Sequence, residues 1–332
     1  MSQPHLHRWA PALAGTLPYL PLGQGPTSVR LLLDEGPPSA PVWVKAEGEY
    51  GDGGWGGNKV RKLEWTLADA RRRGRGTVLT FGALGTNHGL ATARYARDNG
   101  LQTVVAVVDQ PVDAHVAANL SRLEQSATAV HRTRTPLRTA LTAPWLLLRN
   151  RRAYFLPAGG SSPLGALGYV EAAFELAEQV REGTLPEPGT IVCAVGTGGT
   201  MAGLLLGLRL AGLPDVRVEG VVVSDALPID ARRVVRLTAR MAGQLRRRGA
   251  VVPGRAVPRE DEVLLDRDAL GAGYGHATEE GTAAAALADA RWGLDLDPVY
   301  TAKAFGHLLR MNAAGAYGSG PVLFLDTNGP RP

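Results

Sequence analysis

The chain has 332 residues, 45% of them hydrophobic, enough for a large buried core and two domains. Its formal charge of +5 does not point to nucleic acid, because the arginine runs at 71–73, 151–152 and 246–248 fall on different predicted elements with no aromatic residues interleaved. The longest apolar stretches, 145–148 and 204–206, are far short of a membrane span, residues 1–10 lack the apolar core of a secretory signal, and a lone cysteine excludes an intrachain disulfide, so the expectation is a cytoplasmic globular protein of enzyme size.

Short β-branched runs followed by glycine-rich turns and helical patterns recur along the chain, the signature of βα units around parallel sheets. In chain order the pattern predicts a strand at 41–46, a helix at 58–73, a strand at 77–81, a helix at 88–99, a strand at 102–108 and helices at 113–125 and 164–181. A strand at 190–195, a helix at 201–209, a strand at 217–223, helices at 230–248, 278–292 and 301–312 and a strand at 321–326 complete it. The Pro/Gly-rich segment 181–189 reads as a surface connection, and 251–274 is too irregular to assign. Cys193 lies inside an apolar strand and reads as a small buried hydrophobe. Ligands in open α/β sheets bind at the carboxyl ends of strands, where three glycine-rich turns of this chain fall; they are expected to meet in one cleft.

Lys59 and Lys62 are two of only four lysines among thirty-six basic residues, and both stand in Gly56-Gly57-Asn58-Lys59-Val60-Arg61-Lys62-Leu63-Glu64. Arginine stays protonated, whereas a lysine amine can be lowered in pKa and made nucleophilic, so lysines kept in an arginine-rich chain invite a chemical reading. Asn58 is expected to cap the helix, with Val60, Leu63, Leu67 and Ala70 as its apolar stripe and the two lysines on a neighbouring face. Their mutual repulsion is expected to lower one amine, while a nearby phosphate neutralises the other. The bland alternative is a solvated basic pair opening an amphipathic helix.

The turn Gly196-Thr197-Gly198-Gly199-Thr200 follows a predicted strand and runs straight into a helix. Glycines let amides point inward, the threonines add hydroxyls and the helix N-terminus adds positive potential, a combination suited to phosphate. Met201 stands where a dinucleotide fingerprint needs glycine, and no Gly-Lys-Ser/Thr is present, so neither NAD nor ATP is favoured. A second turn ends in Thr86-Asn87-His88, which places a hydroxyl, an amide and an imidazole at one strand end; a histidine there is more often a packing or capping residue than a base.

Together these segments resemble the pyridoxal-phosphate enzymes of the 1-aminocyclopropane-1-carboxylate deaminase and D-cysteine desulfhydrase family, within the tryptophan-synthase-β-like group of fold type II. The resemblance spans nearly the whole chain and also rests on Gly159-Gly160-Ser161-Ser162-Pro163-Leu164-Gly165-Ala166-Leu167-Gly168-Tyr169, Gly273-Tyr274-Gly275 and Leu296-Asp297-Pro298-Val299-Tyr300-Thr301-Ala302-Lys303. It implies an α/β fold of two domains, each a mostly parallel sheet flanked by helices, with the active site between them. Residues 1–60 and 171–332 would form the larger, cofactor-holding domain and 61–170 the smaller. Lys59 would carry pyridoxal 5'-phosphate as a Schiff base, Lys62 and Gly196, Thr197, Gly198, Gly199 and Thr200 would take its phosphate, Asn87 would contact its ring oxygen, and Thr327 would also touch it. Tyr274 and Tyr300 would face the substrate, and with Thr86 and His88 would position its carboxylate or protonate the leaving group. Either tyrosine is equally readable as a packed aromatic.

Three positions favour the desulfhydrase branch over the deaminase. Thr301 stands where the deaminases have a glutamate for the pyridine nitrogen, Thr327 stands in a Thr-Asn-Gly near the C-terminus, and His88 stands where the deaminases prefer glutamine. The expected activity is therefore α,β-elimination from a small amino acid, giving a 2-oxo acid and ammonia, in a protein expected to be a homodimer with no metal, nucleic-acid or membrane partner. The rivals are ring opening of the cyclopropane amino acid and a non-catalytic cofactor-binding protein. The chain departs from the family at Gly85 (Gln), Thr86 (Ser) and Asn328 (Gly), which puts the substrate in question more than the cofactor.

Overall fold

The structure, a computed structural model, describes residues 3–52 and 56–330. Among these the strands form two sheets. The larger runs in the order β1 (Val29–Leu33), β2 (Val42–Ala46), β10 (Val322–Asp326), β7 (Thr190–Val195), β8 (Arg217–Val222) and β9 (Leu264–Asp266). The smaller runs β5 (Ala129–Arg134), β4 (Gln102–Val108), β3 (Thr77–Ala83) and β6 (Tyr154–Leu156). Every pairing is parallel except β1 with β2, where Val29 faces Lys45. Parallel strands are covered on both faces, which is why β10 is Val-Leu-Phe-Leu-Asp with all five residues buried.

Helices α6 (Leu167–Arg181) and α7 (Gly199–Leu210) cover one face of the larger sheet, and α9 (Glu279–Trp292) and α10 (Thr301–Ala313) the other. The first core contains Tyr169, Met201, Ile191 and Leu325, the second Val192, Phe305 and Phe324. On α7 a Cβ at Gly203 would lie 2.5 Å from the Tyr169 Cβ, so glycine there lets α6 and α7 touch backbone to backbone. Around the smaller sheet, Leu90 and Ala93 of α3 (Asn87–Asp98) and Val116 and Leu123 of α4 (Ala114–Ser126) pack on Val105 and Val107.

Helix α2 (Asn58–Arg72) sits between α6 of the larger layer and α3 of the smaller one. The expected stripe Val60, Leu63, Leu67 and Ala70 is fully buried, but so is every other residue from Val60 to Ala70, including Arg61, Lys62, Glu64 and Asp69. The reading of a solvated basic face fails because the helix is covered on both sides. Arg61 is instead satisfied internally. Arg61 Nε donates to Glu47 Oε2 at 2.7 Å and Nη2 to Glu175 Oε1 at 3.0 Å, and Lys45 Nζ donates to Glu175 Oε1 at 2.7 Å. Burial pushes the Glu175 carboxyl upward, but Arg61 and Lys45 outweigh it and hold it at about 2. This buried cluster fixes the first turn of α2 against β2 and α6.

Several expectations change. Asn58 is the first helical residue rather than the cap; Gly57 holds the cap position at φ +116°, where asparagine's side chain is not needed and a β-carbon would be strained. Helices α1 (His5–Trp9), α5 (Pro136–Arg149) and α8 (Ala231–Arg247) complete the set, of which α1 and α5 were not expected, nor were β1, β5, β6 and β9. All four of these strands are sheet edges, and β6 and β9 have only three residues each, so none carries a long apolar run. The unassigned stretch 251–274 contains short 3₁₀ turns at Gly254–Ala256, Glu260–Glu262 and Asp268–Leu270 around β9.

Candidate active site

The carboxyl ends of β3, β7 and β10, the turn after β6 and the start of α2 open onto one cleft of 670 Å³, within the range of small-molecule sites. Of the four lysines, Lys45 belongs to the buried ion cluster, and Lys303 donates to the carbonyls of Leu270 and Gly273 at 2.8 and 3.4 Å. Lys59 and Lys62 line the cleft.

The two differ in setting. Lys59 is half-buried, whereas Lys62 is 1% exposed, and its Nζ donates to the Gly159 carbonyl at 3.3 Å. Burial first, and repulsion from Lys59 second, push the Lys62 amine well below the ordinary lysine range. Repulsion was expected to be the main cause; desolvation exceeds it because the 62 position points inward. Among the described residues no carboxylate lies within ion-pair distance of Lys62. A buried amine so placed is held charged only by an anion beside it.

The glycine loop supplies the remaining donors. Gly196, Thr197, Gly198, Gly199 and Thr200 all line the cleft where β7 passes into α7, with Gly198 at φ +78° as the helix cap. A Cβ at Gly199 would fall 3.1 Å from Lys62 Nζ and 2.3 Å from Ser161 Oγ, so the loop backbone and the lysine share one spot. The Ser161 and Thr197 hydroxyls share a hydrogen bond at 2.6 Å. Amides at a helix N-terminus, two hydroxyls and a buried ammonium without a carboxylate partner form a cradle that a phosphate monoester fits.

Across the cleft, Thr86 caps α3, its Oγ1 accepting from the Gly89 amide at 3.1 Å, so the hydroxyl proton remains for a ligand. Asn87 Oδ1 accepts from Asn119 Nδ2 at 2.9 Å, which leaves the Asn87 amide group as the donor. His88 is 2% exposed, neither ring nitrogen is hydrogen-bonded among the described residues, and burial, Lys59 and Lys62 together hold it well below the ordinary imidazole range. It is therefore neutral. Gly85 receives the side chain of Gln110, whose Oε1 accepts from the Gly85 amide at 3.3 Å; a Cβ there would lie 3.0 Å from Val116 Cγ2.

Tyr274 and Tyr300 face each other edge to face, ring centres 6.0 Å apart, and both line the cleft. Burial raises both phenols, Tyr300 well above the ordinary range. Tyr300 is held by Asp297, whose Oδ1 accepts its amide at 2.7 Å. Thr301 does not line the cleft. Its hydroxyl and amide bond Asp297 Oδ2 at 3.2 and 3.4 Å, while Thr327, at the end of β10, does line it. Cys193 is buried in β7, its thiol pushed up to about 12 by burial, as a packing residue requires. Among the described residues no three His, Cys, Asp or Glu side chains are grouped to hold a metal, and no helix is long and apolar enough to cross a membrane.

Ser161, Asn119 and Asp297 act through other residues of the cleft; Ser161 and Asp297 fall inside motifs of the sequence, whereas Asn119 lies mid-helix with no local pattern of its own. The sequence reading did not anticipate that α5 would wall the site; the Thr135-Pro136 start, with Thr135 Oγ1 accepting from the Arg138 amide, was an available signal.

Comparison with known proteins agrees with this geometry. Residues 20–327 match the family described as pyridoxal-phosphate dependent enzymes. The chain is 36% identical over 284 residues to a protein named D-cysteine desulfhydrase from Salmonella schwarzengrund, covering 82% of each. A solved structure titled as an ACC deaminase homologue superposes with a TM-score of 0.80 at 29% identity, over 98% of this chain and 95% of the other. A threonine deaminase from the organism abbreviated T.th. shares the fold, with a TM-score of 0.65 at 22% identity over 98% and 97% of the two chains. The fold is thus the tryptophan-synthase-β-like fold type II.

Proposed function

This chain belongs to the pyridoxal-phosphate dependent enzyme family, and we propose that it is a lyase acting on a small β-substituted amino acid by α,β-elimination, releasing a 2-oxo acid and ammonia. The observation that carries this reading is the pairing of Lys59 with Lys62: an amine in the cleft beside a second, buried amine that has a phosphate cradle and no carboxylate.

Lys59 Nζ would anchor pyridoxal phosphate, Lys62 with the Gly196–Thr200 amides would hold its phosphate, Asn87 would contact its ring oxygen, and Thr327, which lines the same cleft, would also touch the cofactor. When bound, the cofactor supplies an aldehyde that exchanges amines and a ring that takes up the electron pair from Cα. Lys59 Nζ, in the same cleft, would be the base that takes the substrate Cα proton. Thr86 Oγ1 and the first amides of α3 hold the substrate carboxylate, since a hydroxyl with its proton free and a helix N-terminus both favour an anion. Neutral His88 offers a donor and an acceptor to the same group. Tyr300 and Tyr274, protonated at neutral pH, donate to the departing atom. With the neutral Thr327 hydroxyl rather than a carboxylate beside it, the cofactor would be a weaker electron sink, so the site would suit a substrate with a good leaving group.

Residues 1–60 and 171–332 form one domain and 61–170 the other in this reading, a division supported by the two sheets; positions 1–2, 53–55 and 331–332 lie outside the described residues. We place the enzyme in the cytoplasm, which its single buried, unpaired cysteine suits, and assign it a homodimer, for which the exposed Leu137, Leu141 and Leu148 provide apolar surface.

The test is release of 2-oxo acid and ammonia from cysteine and β-chloroalanine of both hands, against ring opening of 1-aminocyclopropane-1-carboxylate. The β-substituted alanines are expected to have the higher kcat/KM. Faster ring opening would make the protein a deaminase, the second reading, which its likeness to the ACC deaminase homologue supports.

A further inference from the structure

We infer that the cleft takes amino acids whose β-substituent is bulky and apolar, such as S-benzylcysteine, and seats that substituent against α5. The inference rests on the elimination chemistry proposed above.

Helix α5 carries three distinct faces. Leu146 is its buried contact; Leu137, Leu141, Trp145 and Leu148 point outward; Pro136, Thr139, Ala140, Ala143 and Leu147 line the cleft, the Thr139 hydroxyl being taken up by the Thr135 carbonyl and the Thr133 hydroxyl. Facing them are Phe81, Leu90 and Phe155, with the Phe81 and Phe155 rings 6.0 Å apart. Leu147 and Phe155 are 42% and 51% exposed, although both line the cleft. Apolar surface gathered inside a site, with small alanines leaving room between larger side chains, is stabilised by an apolar ligand that displaces its water. A thiol or a chlorine leaves most of this wall wet.

The charged groups of the cleft do not oppose such a ligand. Lys62 faces the phosphate loop, Asp297 is fully occupied by the amides of residues 299–301 and the Thr301 hydroxyl, and Lys59 stands at the reacting carbon in the proposed mechanism. The α5 wall itself carries no charged side chain, and Asp109, which also lines the cleft, is solvent-exposed.

The reaction balances without an oxidant or reductant. The Cα proton goes to Lys59, the Cβ–S bond breaks with its electron pair on sulfur, and sulfur gains a proton. One water then converts the three-carbon remainder, so that S-benzylcysteine and water give benzyl thiol, pyruvate and ammonia.

The holoenzyme is titrated with cysteine and S-benzylcysteine of both hands, following the cofactor spectrum for binding and pyruvate for turnover. S-benzylcysteine of the accepted hand is expected to bind at least tenfold more tightly than cysteine, and Ala143→Phe or Leu147→Gln to reduce that ratio several-fold. Equal or weaker binding of the benzyl compound, or a ratio untouched by both variants, overturns the inference. Tight, variant-sensitive binding with no pyruvate from any substrate upholds the apolar subsite and overturns the elimination chemistry instead.

Discussion

Asn119 Nδ2 donates to Asn87 Oδ1 at 2.9 Å, so a residue on α4 sets the orientation of an amide at the mouth of α3. With the oxygen occupied, only the amide NH₂ of Asn87 remains to meet a ring oxygen. Asn119→Ala frees the amide to rotate and forfeits a buried hydrogen bond of about 1 kcal/mol. Cofactor affinity is expected to fall several-fold and the absorption band of the holoenzyme to move, both read in a spectrophotometric cofactor titration. An unchanged band and affinity would remove Asn87 from the ring.

Lys62 gives a pH signature. Its folded pKa lies well below the unfolded value, so between the two the unfolded chain binds more protons and stability rises with pH. In the cofactor-free protein the Tm should climb from the depressed folded pKa toward the ordinary lysine value near ~10.4. Other groups titrate in that window, so the informative quantity is wild type minus Lys62→Met. The variant is expected to be the more stable apo-protein at neutral pH, with the advantage shrinking as pH rises, and to bind cofactor roughly ten- to a hundredfold more weakly through loss of a charged hydrogen bond. A variant with lower apo Tm and unaltered cofactor affinity would assign Lys62 a structural role.

Gly198→Val tests the loop. At φ +78° a β-carbon is strained by about 1–2 kcal/mol, and it would also come within 2.8 Å of Ile229 Cδ1. The expected result is a folded protein with weakened cofactor retention, measured by dialysis against buffer and by circular dichroism. Full retention would move the phosphate elsewhere.

The carboxylate found in the deaminases cannot simply be restored at position 301. Thr301 is fully buried and bonded to Asp297, so Thr301→Glu sets a second carboxylate against the first. A lower Tm and no gain in ring opening are expected. A stable variant with faster ring opening would show that the side chain reaches the ring nitrogen.

Much of this was legible in the sequence because the residues concerned sit in strong local patterns. The long parallel strands β4 and β7 announce themselves as apolar runs, and Gly196–Thr200 combines a strand end, glycines and a helix start. Edge strand β1 and the three-residue β6 carry too little periodicity to be seen. The capping of α2 was misread because the preference of asparagine for caps was weighed without the positive φ that only Gly57 accommodates. Residues that act through another, such as Asp297 on Tyr300 or Asn119 on Asn87, depend on contacts across tens of residues or on a cap that only the fold reveals.

The central claim is that Lys59 holds the cofactor and Lys62 its phosphate. Borohydride reduction of the reconstituted protein followed by peptide mass spectrometry tests it directly. The pyridoxyl label is expected on Lys59 alone; a label on Lys62, Lys45 or Lys303 would contradict it.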